Sequence, residues 1–180
     1  MSVTGQTSFF EDFAVGMEFQ HRRGRTLMQE ENARWSLQTM NTAQSHWNNE
    51  SMKSYLDGRF ETPIVNAAIV IALCAGLTSG QMTENIFAEI GLDAIRIATP
   101  VFAGDTLTAR SKVLELSSVA DPEHSGRMKY SIQAQNQKGA DILSMERSVL
   151  IKRRAYWLAR DEEFTRNFWT LPQEPSTRGG

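Results

Sequence analysis

The chain has 180 residues, of which 41% are hydrophobic and 22% charged. That is one domain's worth of chain with enough apolar material for a packed core, which excludes a largely disordered protein. The 19 basic and 21 acidic side chains leave a net charge of -2, so no bulk electrostatic bias points to nucleic acid or a membrane surface. A single cysteine, Cys74, excludes an internal disulfide and a cysteine-rich zinc site. Three scattered histidines, His21, His46 and His124, give no basis for a metal cluster.

The N-terminus shows no basic region followed by an apolar run, so no secretory signal is read there and a reducing, cytoplasmic setting is expected. A strand is expected near Met17–Thr26, with the basic run His21-Arg22-Arg23-Gly24-Arg25 at a solvated turn. Ala33, Leu37 and Met40 recur at helical spacing and predict a helix over Gln29–Thr39. A second short helix is expected over Asn49–Leu56, stopped by Asp57-Gly58. Pro63–Leu77 is the most apolar stretch, too short for the roughly 20 residues of a membrane span. Being apolar on every side, it reads as a buried central helix with Pro63 in its first turn.

Sheet follows. Alternation marks Ala94–Ile97, Thr106–Leu114, Met128–Ile132 and Leu143–Ile151, with turns at Gly104-Asp105, Ser125-Gly126 and Lys138-Gly139. Strands joined by short turns make an antiparallel meander. Curled round one buried helix, it makes a two-layer α+β domain over residues 1–155. Residues 156–180 form an extension, amphipathic over Trp157–Trp169 and then loose.

Two features can carry chemistry. The first turn of the central helix, over Ile64–Ala68, offers unpaired N–H groups where the helix dipole favours negative charge. Such donors can stabilise the oxyanion of a polarised thioester, or simply face water. The second feature is the polar loop Thr39–Asn48, where His46 and Asn41 stand five residues apart and can address one water. A lone loop histidine is otherwise just solvated.

That loop resembles the hydratase motif of the MaoC-like, R-specific enoyl-CoA hydratases, Thr-Gly-Asp-x-Asn-Pro-x-His-x-Asp. Phe60–Ala67 is similar to the family's Phe-x-x-Pro-Ile-Val-His-Gly, and Thr99–Leu107 to its Pro-Val-x-x-Gly-Asp segment. The resemblance covers roughly residues 10–152. It implies a hot-dog fold and a homodimer with the acyl-CoA site at the subunit interface. It places the family's catalytic histidine on His46 and its aspartate on Asn41, whose amide can orient water but cannot take a proton. The family's oxyanion donor, a glycine N–H, falls on Ala67, preceded by Asn66.

The implied reaction is reversible hydration of an enoyl-CoA. Neutral His46 takes a proton from a water held by Asn41 and returns it to the α-carbon, while the backbone of Ala67 and Asn66 holds the thioester oxygen. An imidazole of ordinary pKa suits that cycle near neutral pH. Members acting on branched mesaconyl- or itaconyl-type acyl-CoAs resemble this chain in Thr39–Thr42 and Pro100–Thr106. With such a substrate an arginine is expected to pair with the free carboxylate, from among Arg25, Arg34, Arg59 and Arg96. Val65 and Arg96 are the substrate-binding candidates. No metal and no cofactor beyond the substrate's own CoA is expected, and no nucleic-acid or membrane partner. Two alternatives stand: a hot-dog thioesterase, disfavoured because Pro63–Leu77 holds no acid although Glu61 lies just before it, and a non-catalytic acyl-CoA-binding protein.

Overall fold

The computed structural model describes residues 7–119 and 122–168; Trp169 and the expected loose tail lie outside them. Four strands of twelve residues dominate: β3 (Ile86–Ile97), β4 (Thr106–Ser117), β5 (Ser125–Asn136) and β6 (Asp141–Lys152). The expected early strand is two short ones, β1 (Glu18–Gln20) and β2 (Arg25–Thr26), both paired to β4. Sheet order is β1-β4-β5-β6-β3 and the β3, β4, β5 and β6 pairings are antiparallel. The meander is β4-β5-β6; β3 crosses to the far edge beside β6. Register shifts in β3 mark bulges, which bend and curl that edge.

Alternation puts Leu107, Val113, Met128, Tyr130 and Ile132 on one face, all fully buried. Helix α3 (Ala67–Met82) packs on that face through Val70, Cys74, Thr78 and Met82. This is the expected α+β hot-dog arrangement. Two details of the helix differ from expectation. Pro63 is not in its first turn: Ile64 forms a strand-like bridge with Phe102, and Asn66 caps the helix by accepting from Ala68 N–H at 3.0 Å. Nor is the helix enclosed all round, because the row Ala68, Ala72, Gly76, Ser79 and Gly80 is exposed.

The remaining helices are α1 (Gln29–Gln38), α2 (Asn49–Met52) and α4 (Arg154–Phe168), with 3-10 turns at Gln44–His46 and Tyr55–Gly58. On α1 the apolar period points outward. Leu37 is 52% exposed and Met40, past the helix end, 85%, while the buried residues are Asn32 and Ser36. Hydrogen bonds, not grease, dock this helix. Helix α4 is held by Trp157, which packs on Phe87 and donates from Nε1 to His124 O at 2.8 Å. Arg153 and Arg154 pair with Glu11 and Asp12 of the N-terminal 3-10 turn.

Candidate active site

Three segments meet at the start of α3. Ile64 N–H donates to Ser45 O at 2.9 Å, and Val65 N–H to Val101 O at 2.8 Å. These bonds lay the His46 turn on one side of Ile64–Val65 and the β3–β4 connection on the other. A cavity of about 410 Å³ opens where they join. Val65, Val70, Ile97 and Val101 give it apolar walls, and Ser45, His46, Tyr55 and Thr99 add polar groups, with Ala67 also lining it.

His46 is half-buried, and its Nδ1 lies 2.8 Å from Ile64 O. A carbonyl only accepts, so Nδ1 carries the hydrogen and the neutral ring presents Nε2 as a free base. Among the described residues Nε2 has no hydrogen-bond partner. The ring therefore has one nitrogen anchored and one available, which is the division of labour a general base needs.

The helix start sorts its donors equally clearly. Asn66 N–H is taken by Asn32 Oδ1 at 3.0 Å, and Ala68 N–H by the Asn66 side chain. Ala67 N–H has no recorded partner among the described residues and belongs to a residue lining the cavity. Of the two backbone donors expected from sequence, Ala67 is open and Asn66 is occupied within the fold. His46 and Ala67 line one cavity, and both come from the same chain.

The other expected residues sit differently. Val65 is 4% exposed and forms part of the wall. Asn41 does not line the cavity; its Oδ1 accepts from Ala43 N–H at 3.1 Å, closing a local turn that shapes the loop. None of the four arginines lines the cavity. Arg25 is paired with Glu31, Arg34 and Arg96 are exposed, and Arg59 lies over Phe60, whose ring packs on Phe102.

Sequence reading missed Asn32, which is fully buried. Its Nδ2 donates to His46 O at 2.7 Å and to Ile64 O at 3.1 Å. A polar residue four before Ser36 on a helix with outward apolar residues was the available signal. His21, read as a turn residue, is also buried, bonded through Nδ1 to Gln81 and through Nε2 to Ser111, each at 2.9 Å.

Comparison with known proteins sets this geometry in a family. The family model described as mesaconyl-CoA hydratase matches residues 7–153. The chain belongs to the mesaconyl-CoA hydratase family. A mesaconyl-CoA hydratase of Haloarcula marismortui is 26% identical over 147 residues, 81% of this chain and 40% of that protein. The chain thus spans about 40% of the length of that curated relative. A MaoC domain dehydratase structure from Chloroflexus aurantiacus superposes with a TM-score of 0.76 at 24% identity, covering 84% of this chain and 46% of that one. The Mycobacterium tuberculosis protein Rv0216, described as a double hot-dog fold, gives 0.72 at 17% identity, over 94% of this chain and 53% of that one. Both structural likenesses show the hot-dog fold.

Proposed function

We propose that the protein is an enoyl-CoA hydratase working reversibly as a 3-hydroxyacyl-CoA dehydratase, with a branched C5 dicarboxylic, mesaconyl-type thioester as substrate. The observation that carries the reading is that His46 and Ala67, whose Nε2 and N–H have no partner among the described residues, line one largely apolar cavity. The thioester oxygen accepts from Ala67 N–H, which draws electrons from the β-carbon. His46 Nε2 removes a proton from water as the water oxygen bonds that carbon. The resulting enolate takes the proton back from Nε2 at its α-carbon, so the net change is one water added. General acid–base help of about 10²–10⁴-fold and an oxyanion donor of about 10²–10³-fold are reasonable shares. Asn41 acts through the loop's shape rather than by holding the water. The scheme needs no metal or cofactor beyond the CoA of the substrate.

The family membership supports the substrate class. Among the described residues the cavity lining contains no carboxylate, which favours hydration over thioester hydrolysis. No described helix is long and apolar enough to cross a membrane, and a reducing, cytoplasmic setting suits the buried thiol of Cys74.

The reading includes a homodimer. Edge strand β3 exposes Phe87, Ile90, Leu92, Ile95 and Ile97, an apolar row that a second copy can cover. Sedimentation of the wild type as a dimer, and of Ile90→Lys as a monomer, is expected; a monomeric wild type would reject this part. For the activity, the protein is incubated with crotonyl-CoA and with mesaconyl-CoA. Loss of enoyl-thioester absorbance without free thiol is expected. Thiol release would make it a thioesterase, and binding without either change would make it a non-catalytic acyl-CoA protein.

A further inference from the structure

The amide of Asn32 joins the two halves of the site. It is buried on α1 and touches three backbone groups from two separate segments. Two of those groups, His46 O and Ile64 O, can only accept; the third, Asn66 N–H, can only donate. One orientation of the amide satisfies all three, with Nδ2 toward the carbonyls and Oδ1 toward the N–H. The side chain is therefore fixed by its partners and in turn fixes them.

Each contact has a consequence for the chemistry. The bond to His46 O, at 2.7 Å, pins the backbone that carries the imidazole. Gln29 Nε2 adds a second, longer bond to the same oxygen at 3.2 Å. The bond to Ile64 O, at 3.1 Å, occupies the carbonyl that also receives His46 Nδ1–H. The carbonyl that anchors the ring is thus itself held by the buried amide. The bond from Asn66 N–H removes that donor from the helix start and leaves Ala67 N–H to the cavity.

We propose that Asn32 is a positioning residue for the hydration chemistry, locking the His46 imidazole and the Ala67 N–H into one fixed geometry through a single buried amide. The proposal rests on the hydratase reading above. It is not a catalytic residue, since it does not line the cavity. Displacing a base by about 1 Å can cost about 10²-fold in rate, so a loosened clamp acts on kcat more than on substrate binding.

The test uses Asn32→Asp, Asn32→Ser and Ser36→Ala, with His46→Ala alongside. Asn32→Asp keeps the shape and loses both donors, and its carboxylate stands beside the carbonyl that anchors the imidazole. That charge favours the protonated ring. Expected are a kcat lowered about 10–100-fold with KM held within about threefold, and an acid limb of kcat/KM displaced to higher pH. Asn32→Ser carries no charge; it is expected to lower kcat without moving the limb, and stands in should Asn32→Asp fail to fold. Ser36→Ala removes a neighbouring buried bond, from Asn66 Nδ2 at 3.3 Å, without touching His46 or Ile64. It is expected to change stability but not the pH profile.

Folded Asn32 variants with wild-type kcat and an unmoved acid limb would overturn the proposal, as would an equal loss of kcat in Ser36→Ala. Those outcomes leave the hydratase reading standing as long as His46→Ala is inactive. If His46→Ala hydrates at the wild-type rate, the reading and the clamp fall together.

Discussion

The sheet with α3, and the layer formed by α1 and the His46 loop, are built on opposite principles. The first is held by apolar area: Tyr130, Ile132, Met128 and Val113 have no exposed surface and pack on Val70, Cys74 and Met82. The second is held by polar groups: Asn32 and Ser36 are the buried residues of α1, while Leu37 and Met40 face outward. An apolar core tolerates small shifts because its attraction is non-directional. A hydrogen-bonded layer does not, because its bonds need distance and angle. The difference fits the proposed hydration, with an apolar scaffold beneath a polar layer that orients His46.

The largest expected effect separates the two regions. Ile132→Ala in the sheet should cost about 2–5 kcal/mol, read as a lowered urea midpoint, with little change in turnover per folded molecule. A comparable fall in turnover would show that the core itself tunes the site. Next, Ser36→Ala in the polar layer leaves Asn66 Nδ2 without its bond at 3.3 Å. A loss of about 1–3 kcal/mol is expected for a buried group left unpaired, and no measurable loss would place that layer on packing after all.

Acidity sharpens the comparison further. Burial holds the His21 imidazole below its ordinary 6.5, partly offset by its bond to Gln81. As pH falls, the unfolded chain protonates this group first. Its contribution is therefore whole above pH 6.5 and drains away from there down to the folded value. Unfolding midpoints of the wild type should decline over that window, and His21→Gln should flatten the decline. A parallel decline in the variant would assign it to other groups.

Cys74 gives a smaller, cleaner contrast. Burial pushes its thiol up to about 12, so a thiol reagent at neutral pH should label it only as fast as the protein unfolds. Rapid labelling of the native protein would mean that the core opens locally. The smallest effect is expected at Asn41. An aspartate there still accepts from Ala43 N–H, so Asn41→Asp should keep hydration within a few-fold of wild type; a large gain would return this residue to the chemistry.

The apolar region was the legible one. Alternation located β4, β5 and β6, and the apolar run located α3, because burial there follows from side-chain chemistry one residue at a time. Of β3 only Ala94–Ile97 was read as strand, since register shifts at Ile86/Ala88, Glu89/Gly91 and Asp93/Arg96 break the alternation along its length. The four-residue error at the α3 start came from placing Pro63 in the first turn, whereas Ile64 forms the bridge to Phe102 and the helix begins at Ala67. The motif resemblance singled out His46 and Ala67, and both line the cavity. Asn32 was not legible, because its burial is set by carbonyls fourteen and thirty-two residues away in sequence. Asn41 looked catalytic by position, yet its oxygen is turned to Ala43 N–H.

The most direct measurement is the rate at which folded His46→Ala protein consumes mesaconyl-CoA, followed by enoyl-thioester absorbance with free thiol monitored in parallel. A loss of about 10²–10⁴-fold with unchanged unfolding is expected if the free imidazole nitrogen is the base. A wild-type rate in that variant would contradict the assignment.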